Sequence, residues 1–224
     1  MQSKIQNLFS RFNTSSPKNW GIRSDRHLDM GCANNARNPF NAPEVFGADL
    51  SDRAPLNLEE NYYFKVDARV HLPVQDGFFT SISAYDFIEH LNRSDGYPNS
   101  FITFLNEASR VLSPGGILLC VTPAFPSPLS FQDPTHVNII TEGTVQYFLN
   151  LKGSDQDLDY GITCEFELVK QFWAGPFSLI RKPTWESQGL NFTILKSTLK
   201  PSNLRKFVSE LRNPSHLVWV LRRA

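Results

Sequence analysis

Four aspartates, Asp29, Asp49, Asp67 and Asp86, recur along the first part of the chain, each at or just after a stretch that reads as a β-strand. A carboxylate in such a place can accept hydrogen bonds from two adjacent hydroxyls at once, as on a ribose. Asp49 stands 20 residues after Asp29, the spacing at which an acid following a second strand reaches a diol of that kind. Asp67, with the backbone of Ala68, offers the acceptor and donor that an adenine edge requires. Gly31 lets the first turn come close to a ligand. The plainer alternative is that these acids cap loops and carry surface charge.

Proton transfer near neutral pH calls for histidine, and the chain has five. His27 and His216 read as strand-edge residues and His71 as a loop residue. Two remain as candidate catalytic groups. His90 follows Glu89 in "FIEHL", just past the fourth strand, and His136 follows Asp133 in "QDPTHVNII", after the fifth. Glu89, Asp133 and His136 are the expected substrate-side residues. Structural roles compete with this reading: Asp133 can cap a turn before Pro134, His136 can bond a backbone group, and Glu89 and His90 can be a structural pair. A metal on His90, Asp133 and His136 is conceivable, but histidine and carboxylate alone do not specify one. No metal is expected.

Alternating segments must hold these residues. Strand signals run over His27–Gly31, Glu44–Leu50, Tyr62–Val66, Phe78–Tyr85 and Gly116–Pro123. A helix is predicted over Phe101–Leu112, with an apolar stripe, Ser100 as its N-cap and "SPGG" as its stop. "GILLCVTP" is continuously apolar, as in a strand buried on both faces of a parallel sheet. Beyond residue 124 come a Pro-rich connection, a short helix near Thr144–Leu151, a strand near Ile162–Trp173, a helix near Asn203–Leu211 and a last strand, His216–Leu221. At the N-terminus, Ser3–Phe12 forms an amphipathic helix followed by a polar loop. The alternation indicates an α/β, doubly wound sheet.

The first turn reads Gly31-Cys32-Ala33-Asn34-Asn35-Ala36, so it lacks the later glycines of a dinucleotide-binding G-x-G-x-x-G loop. Pro39 and Pro43 leave space for little more than one turn of helix, a poor cradle for a pyrophosphate. S-adenosylmethionine carries no phosphate; it needs close backbone approach, a ribose clamp and an adenine slot. Asparagine tolerates positive φ better than other non-glycine residues, so Asn34 or Asn35 is expected in the left-handed region.

"HLDMGC", "VFGADLSD", "FKVDA", "ISAYDFIEHL" and "ASRVLSPGGILLCVTP", taken in order, resemble the class I S-adenosylmethionine-dependent methyltransferases. The likeness spans about Arg26 to Thr122. It implies a Rossmann-like sheet of about seven strands, mostly parallel with an antiparallel last strand, and a shortened first helix. Asp29, Gly31 and Cys32 match the family's first motif, whose usual form has glycines where Ala33 and Asn35 stand; Asn34 lies in the same loop. Asp49, followed by Leu50, matches the ribose acid, and Asp67 with Ala68 the adenine pair. Tyr85 and Asp86 fall in the fourth-strand motif beside the methionine. The Asp-Pro-Thr-His stretch is similar to one in members linked to sugars and cell-surface polysaccharides. The resemblance implies methyl transfer to a small-molecule or glycan hydroxyl. A NAD-dependent oxidoreductase or epimerase on a similar sheet, and a non-catalytic cofactor-binding protein of the same fold, are the alternatives.

With 22 Lys+Arg against 22 Asp+Glu, nothing favours nucleic acid as a partner. The three cysteines, Cys32, Cys120 and Cys164, fit neither a disulfide framework nor a zinc site, so a cytoplasmic setting is expected. No run of about 18 apolar residues predicts a membrane span. The expected organisation is an N-terminal helix and linker over 1–25 and one domain over 26–224, with acceptor-side insertions near 124–160 and 174–200.

Overall fold

The computed structural model describes residues 24–67, 71–149, 160–175 and 214–224. The helices expected over Ser3–Phe12 and near Asn203–Leu211, most of the 174–200 insertion, and Ala68 lie outside the described residues.

The strands are β1 (Arg26–Met30), β2 (Glu44–Asp49), β3 (Tyr63–Lys65), β4 (Phe79–Tyr85), β5 (Leu112–Pro123), β6 (Phe166–Ala174) and β7 (His216–Arg223). They form one sheet in the order β3-β2-β1-β4-β5-β7-β6. β1 to β5 pair in parallel, and β7 runs antiparallel to both of its neighbours. This is the expected α/β sheet of seven strands with an antiparallel last strand. The strand order reverses between β1 and β4, so a crevice opens at their carboxyl ends, where open α/β sheets hold ligands.

Helix α1 (Ser100–Val111) covers one face. Phe101, Phe104, Leu105, Ala108 and Val111 are buried in the main core. Each large side chain among them contributes about 1.5–3 kcal/mol relative to exposure. The N-cap is Asn99 rather than Ser100: Asn99 Oδ1 accepts from Ile102 N–H at 3.0 Å. Ser100 lies one residue inside the helix and bonds to Asp95 instead. Glu107 and Arg110 on α1 fasten the chain before β4, Glu107 accepting from Leu72 N–H and Arg110 donating to the carbonyls of Leu72 and Val74.

The phenylalanines form the β2–β4 end of the core. The ring of Phe46 lies 5.1–5.9 Å from those of Tyr62, Phe64, Phe78 and Phe79. On the opposite face, Phe40 from the β1–β2 connection packs with Tyr85, Ile117, Leu119, Val218 and Val220. That connection contains no helix at all, so even the shortened helix expected there is replaced by turns. Pro39 and Pro43 remove two of the N–H donors that a helix would need, which accounts for its loss.

Candidate active site

Without a helix, the β1–β2 connection is held by side chains. Asp29 is fully buried at the end of β1; Oδ1 accepts from Ser83 Oγ at 2.6 Å and Oδ2 from Arg37 N–H at 2.8 Å. Burial pushes its carboxyl up to about 6, against the pull of Arg37 and Ser83. Asn57 clamps Ala36 in both directions, accepting at 2.9 Å and donating at 2.8 Å. Gly31 donates to Ala48 O at 2.8 Å and has φ of 67°. A Cβ there would stand 2.7 Å from Phe87 Cδ2, so glycine is required on both counts.

The expectation for the asparagines is overturned. Asn34 and Asn35 do not take positive φ; Ala33 does, at 47°. It is held there by its N–H, which donates to Asp49 Oδ2 at 2.9 Å. The left-handed bend thus falls at Ala33, one of the positions where the resemblance implies a glycine, and a hydrogen bond to Asp49 offsets the strain on alanine.

A cleft of about 530 Å³ opens at the carboxyl ends of β1, β2 and β4, lined by Gly31, Asp49, Leu50, Asp67, Asp86 and His90 of the expected residues. Asp49 Oδ1 also accepts from Ser51 N–H at 3.1 Å, and a carboxylate oxygen with one such bond can accept another. Asp86 has φ of 46°, and its Oδ1 meets Nε2 of His216 at 3.0 Å. His216 is buried rather than an edge residue, and so is His27, whose ring bonds Ser81 and Ser83. Phe87, Asn92, Asp95 and Ser100 also line the cleft. Sequence reading missed them, although "DGYPNS" carries turn and cap residues just before a helix.

Other expected residues lie away from the cleft wall. Asp29 is taken up by the loop, as described. Cys32 is buried behind the turn, and its sulfur would stand 2.9 Å from a Cβ on Gly47; burial pushes its thiol up to about 12. Asn34 is exposed and accepts from Leu56 N–H through its carbonyl. Tyr85 points to the opposite face of the sheet, where the Arg37 guanidinium stands 4.8 Å from its ring. Tyr85 is the last residue of β4, and Asp86 follows the strand with left-handed φ and borders the cleft.

Behind His90 lies a second group. Glu89 is 1% exposed; Oε2 accepts from Thr122 Oγ1 at 2.8 Å, while Oε1 has no partner among the described residues. Burial pushes its carboxyl up to about 8. Its backbone carbonyl accepts from the N–H groups of Val137 and Asn138, fastening the connection after β5 to the end of β4. This brings the His136 ring within 4.9 Å of the His90 ring, edge to face. His136 is half-buried and does not line the cleft, contrary to the expectation that it faces the cofactor. Asp133 is exposed and accepts from Thr135 N–H and Oγ1, so it caps its own turn. Those bonds to Thr135 hold its carboxyl below the ordinary carboxylate value.

Residues 28–120 match the family described as "Methyltransferase domain". The fold is similar to that of an S-adenosylmethionine-dependent methyltransferase from Mesorhizobium loti, at 16% identity, 96% coverage of each chain and a TM-score of 0.57. It is likewise similar to the N-methyltransferase NodS from Bradyrhizobium japonicum WM9 in complex with S-adenosyl-L-homocysteine. There the identity is 12%, with 97% of this chain and 86% of that chain covered and a TM-score of 0.53. A third similar structure is that of an S-adenosylmethionine-dependent methyltransferase from Archaeoglobus fulgidus, at 16% identity, with 97% of this chain and 94% of that chain covered and a TM-score of 0.50. No curated protein matches the chain. The strand order and these likenesses define the seven-stranded α/β fold that those methyltransferase structures share. Among the described residues, no helix is long and apolar enough to cross a membrane.

Proposed function

We propose that this chain transfers the methyl group of S-adenosylmethionine to a hydroxyl of a small-molecule or glycan acceptor. The observation that carries this reading is the cleft itself: Gly31, Asp49, Asp67, Asp86 and His90 line it together, at the strand ends where such a fold holds its ligand. Asp49 takes the ribose hydroxyls and Asp67 the adenine. Gly31 and Phe87 shape the space beside the methionine.

Methyl transfer is an in-line displacement from a positive sulfur, so alignment and exclusion of water supply much of the rate. A hydroxyl acceptor must also lose its proton. We assign that task to the His90–His136 pair. His136 Nδ1 meets the Leu129 carbonyl at 3.1 Å, and a carbonyl only accepts, so Nδ1 is the donor and neutral His136 keeps its lone pair on Nε2. His90 Nδ1 faces the carbonyl and hydroxyl oxygens of Thr135, and that hydroxyl already donates to Asp133. His90 therefore also presents Nε2 as its basic atom. The likeness of "DPTH" to sugar-linked members supports a glycan, and three free, buried cysteines support a cytoplasmic setting.

The test is turnover of labelled S-adenosylmethionine on a panel of sugars, small alcohols and small amines, with the methylated atom located in the product. Oxygen methylation that falls about 10²-fold in His90→Ala and His136→Ala, with S-adenosylhomocysteine binding retained, is expected. Methylation of an amine on the same panel overturns the hydroxyl reading.

A further inference from the structure

We propose that Glu89, His90 and His136 bind one divalent transition-metal ion beside the cofactor cleft. One ligand atom from each residue lies within 4.8 Å of those of the other two. Sequence reading expected no metal, and the trio it weighed contained Asp133, which caps its own turn.

Three features make this a built site. Both rings donate Nδ1–H to backbone carbonyls, Leu129 O for His136 and Thr135 O for His90. That is how a metal-bound imidazole is commonly fixed, with Nε2 left as the ligating atom. Glu89 supplies a buried carboxylate oxygen, Oε1, with no partner among the described residues, while Oε2 is oriented by Thr122. A buried acceptor left in that state is destabilising, and a bound cation satisfies it. The backbone bonds from Val137 and Asn138 to Glu89 O set the spacing between the two loops in advance.

Ligands about 2.1 Å from one tetrahedral ion stand about 3.4 Å apart, so closure requires a movement on the order of 1 Å. The exposed His90 ring can make it by rotating. Two imidazoles and one carboxylate suit Zn²⁺, Fe²⁺, Co²⁺ or Ni²⁺ rather than Mg²⁺ or Ca²⁺. Three protein ligands leave a coordination position open, and His90 borders the cleft.

The role of the ion rests on the methyl-transfer reading. An acceptor hydroxyl bound at the open position loses its proton to solvent at lower pH than a free alcohol. The oxygen lone pair forms the O–CH₃ bond as the S–CH₃ bond breaks, and neutral S-adenosylhomocysteine leaves. When the ion is bound it takes over the task assigned above to the free Nε2 atoms, and the two histidines act through it; without the ion they remain the bases.

Untagged protein is stripped with a chelator and titrated with Zn²⁺ and with Co²⁺, following bound metal by mass spectrometry and the visible absorption of Co²⁺. One equivalent per chain is expected. Affinity should fall at least tenfold in His90→Ala, His136→Ala and Glu89→Gln, and stay unchanged in His71→Ala, which controls for imidazole binding elsewhere. His90 is exposed, so its variant tests the site even if Glu89→Gln fails to fold. Absence of a stoichiometric ion, or wild-type affinity in both histidine variants, overturns the proposal. Calorimetry with S-adenosylhomocysteine on stripped protein separates the two readings. Cofactor binding without metal binding removes only the ion, and metal binding without cofactor binding removes the methyl-transfer reading.

Discussion

The N–H of Ala33 donates to Asp49 Oδ2 over 2.9 Å, and the alanine that donates it has φ of 47°. One residue is strained so that the other is oriented. Glycine at position 33 removes a left-handed strain of about 1–2 kcal/mol, offset in part by about 0.4–1 kcal/mol of unfolded-chain entropy. Ala33→Gly should therefore stabilise the fold by roughly 0.5–1 kcal/mol, read as a higher denaturation midpoint with an unchanged slope. A lower midpoint would show that Ala33 is not strained.

Two residues earlier the sign reverses. Gly31→Ala places a Cβ 2.7 Å from Phe87 Cδ2 at a φ of 67°. A loss of about 1–3 kcal/mol and weaker S-adenosylhomocysteine binding are expected. Wild-type stability would mean that Phe87 gives way freely, and the tight turn would lose its explanation.

Asp49→Ala should weaken S-adenosylhomocysteine binding by roughly 1–3 kcal/mol, the scale of hydrogen bonds to a charged group. The turn is expected to loosen as well, because Ala33 and Ser51 both lose their acceptor. Calorimetry on the folded variant decides. Unchanged affinity would take Asp49 out of the site.

Burial pushes His27 down to about 3, so the folded state favours its neutral ring. A lowered pKa gives stability that is present above the unfolded value of about 6.5 and is lost as pH falls toward about 3. At pH 5 the loss is about 2 kcal/mol. Asp29, raised to about 6, works the other way and gains on acidification. From pH 7 to pH 5, chemical denaturation of His27→Gln should therefore shift by about 2 kcal/mol in its favour relative to wild type. Parallel pH curves for the two proteins would show that His27 is not held neutral.

The strands were legible because each carries a local pattern, alternating or continuous apolar runs with acids at their ends; their order in the sheet came from the family resemblance. Asp49, Asp67, Asp86 and Gly31 were placed at the cleft by the same rule. Tyr85 was misplaced because periodicity says which residues alternate, not which face is the ligand's. The bend at Ala33 was invisible for a different reason: local preference named asparagine, and a hydrogen bond from a side chain 16 residues away overrode it. Glu89 and His136 meet only because Glu89 O accepts from the β5 connection, a pairing between the ends of neighbouring strands far apart in sequence that no local signal encodes. His27 looked like an edge residue because only its tertiary partners, Ser81 and Ser83, show it to be buried.

The placement of β7 between β5 and β6 has a consequence for how the protein is made. β6 bonds to the sheet through β7, yet β7 is synthesised about 40 residues later, from His216 onward. During vectorial synthesis the side of β5 that β7 will cover stays bare, while Phe166–Ala174 has already left the ribosome without its partner. Unpaired strands of that kind invite association between nascent chains. The nascent domain therefore depends on protection of its unfinished edge until the strand carrying Trp219 docks and closes both gaps at once.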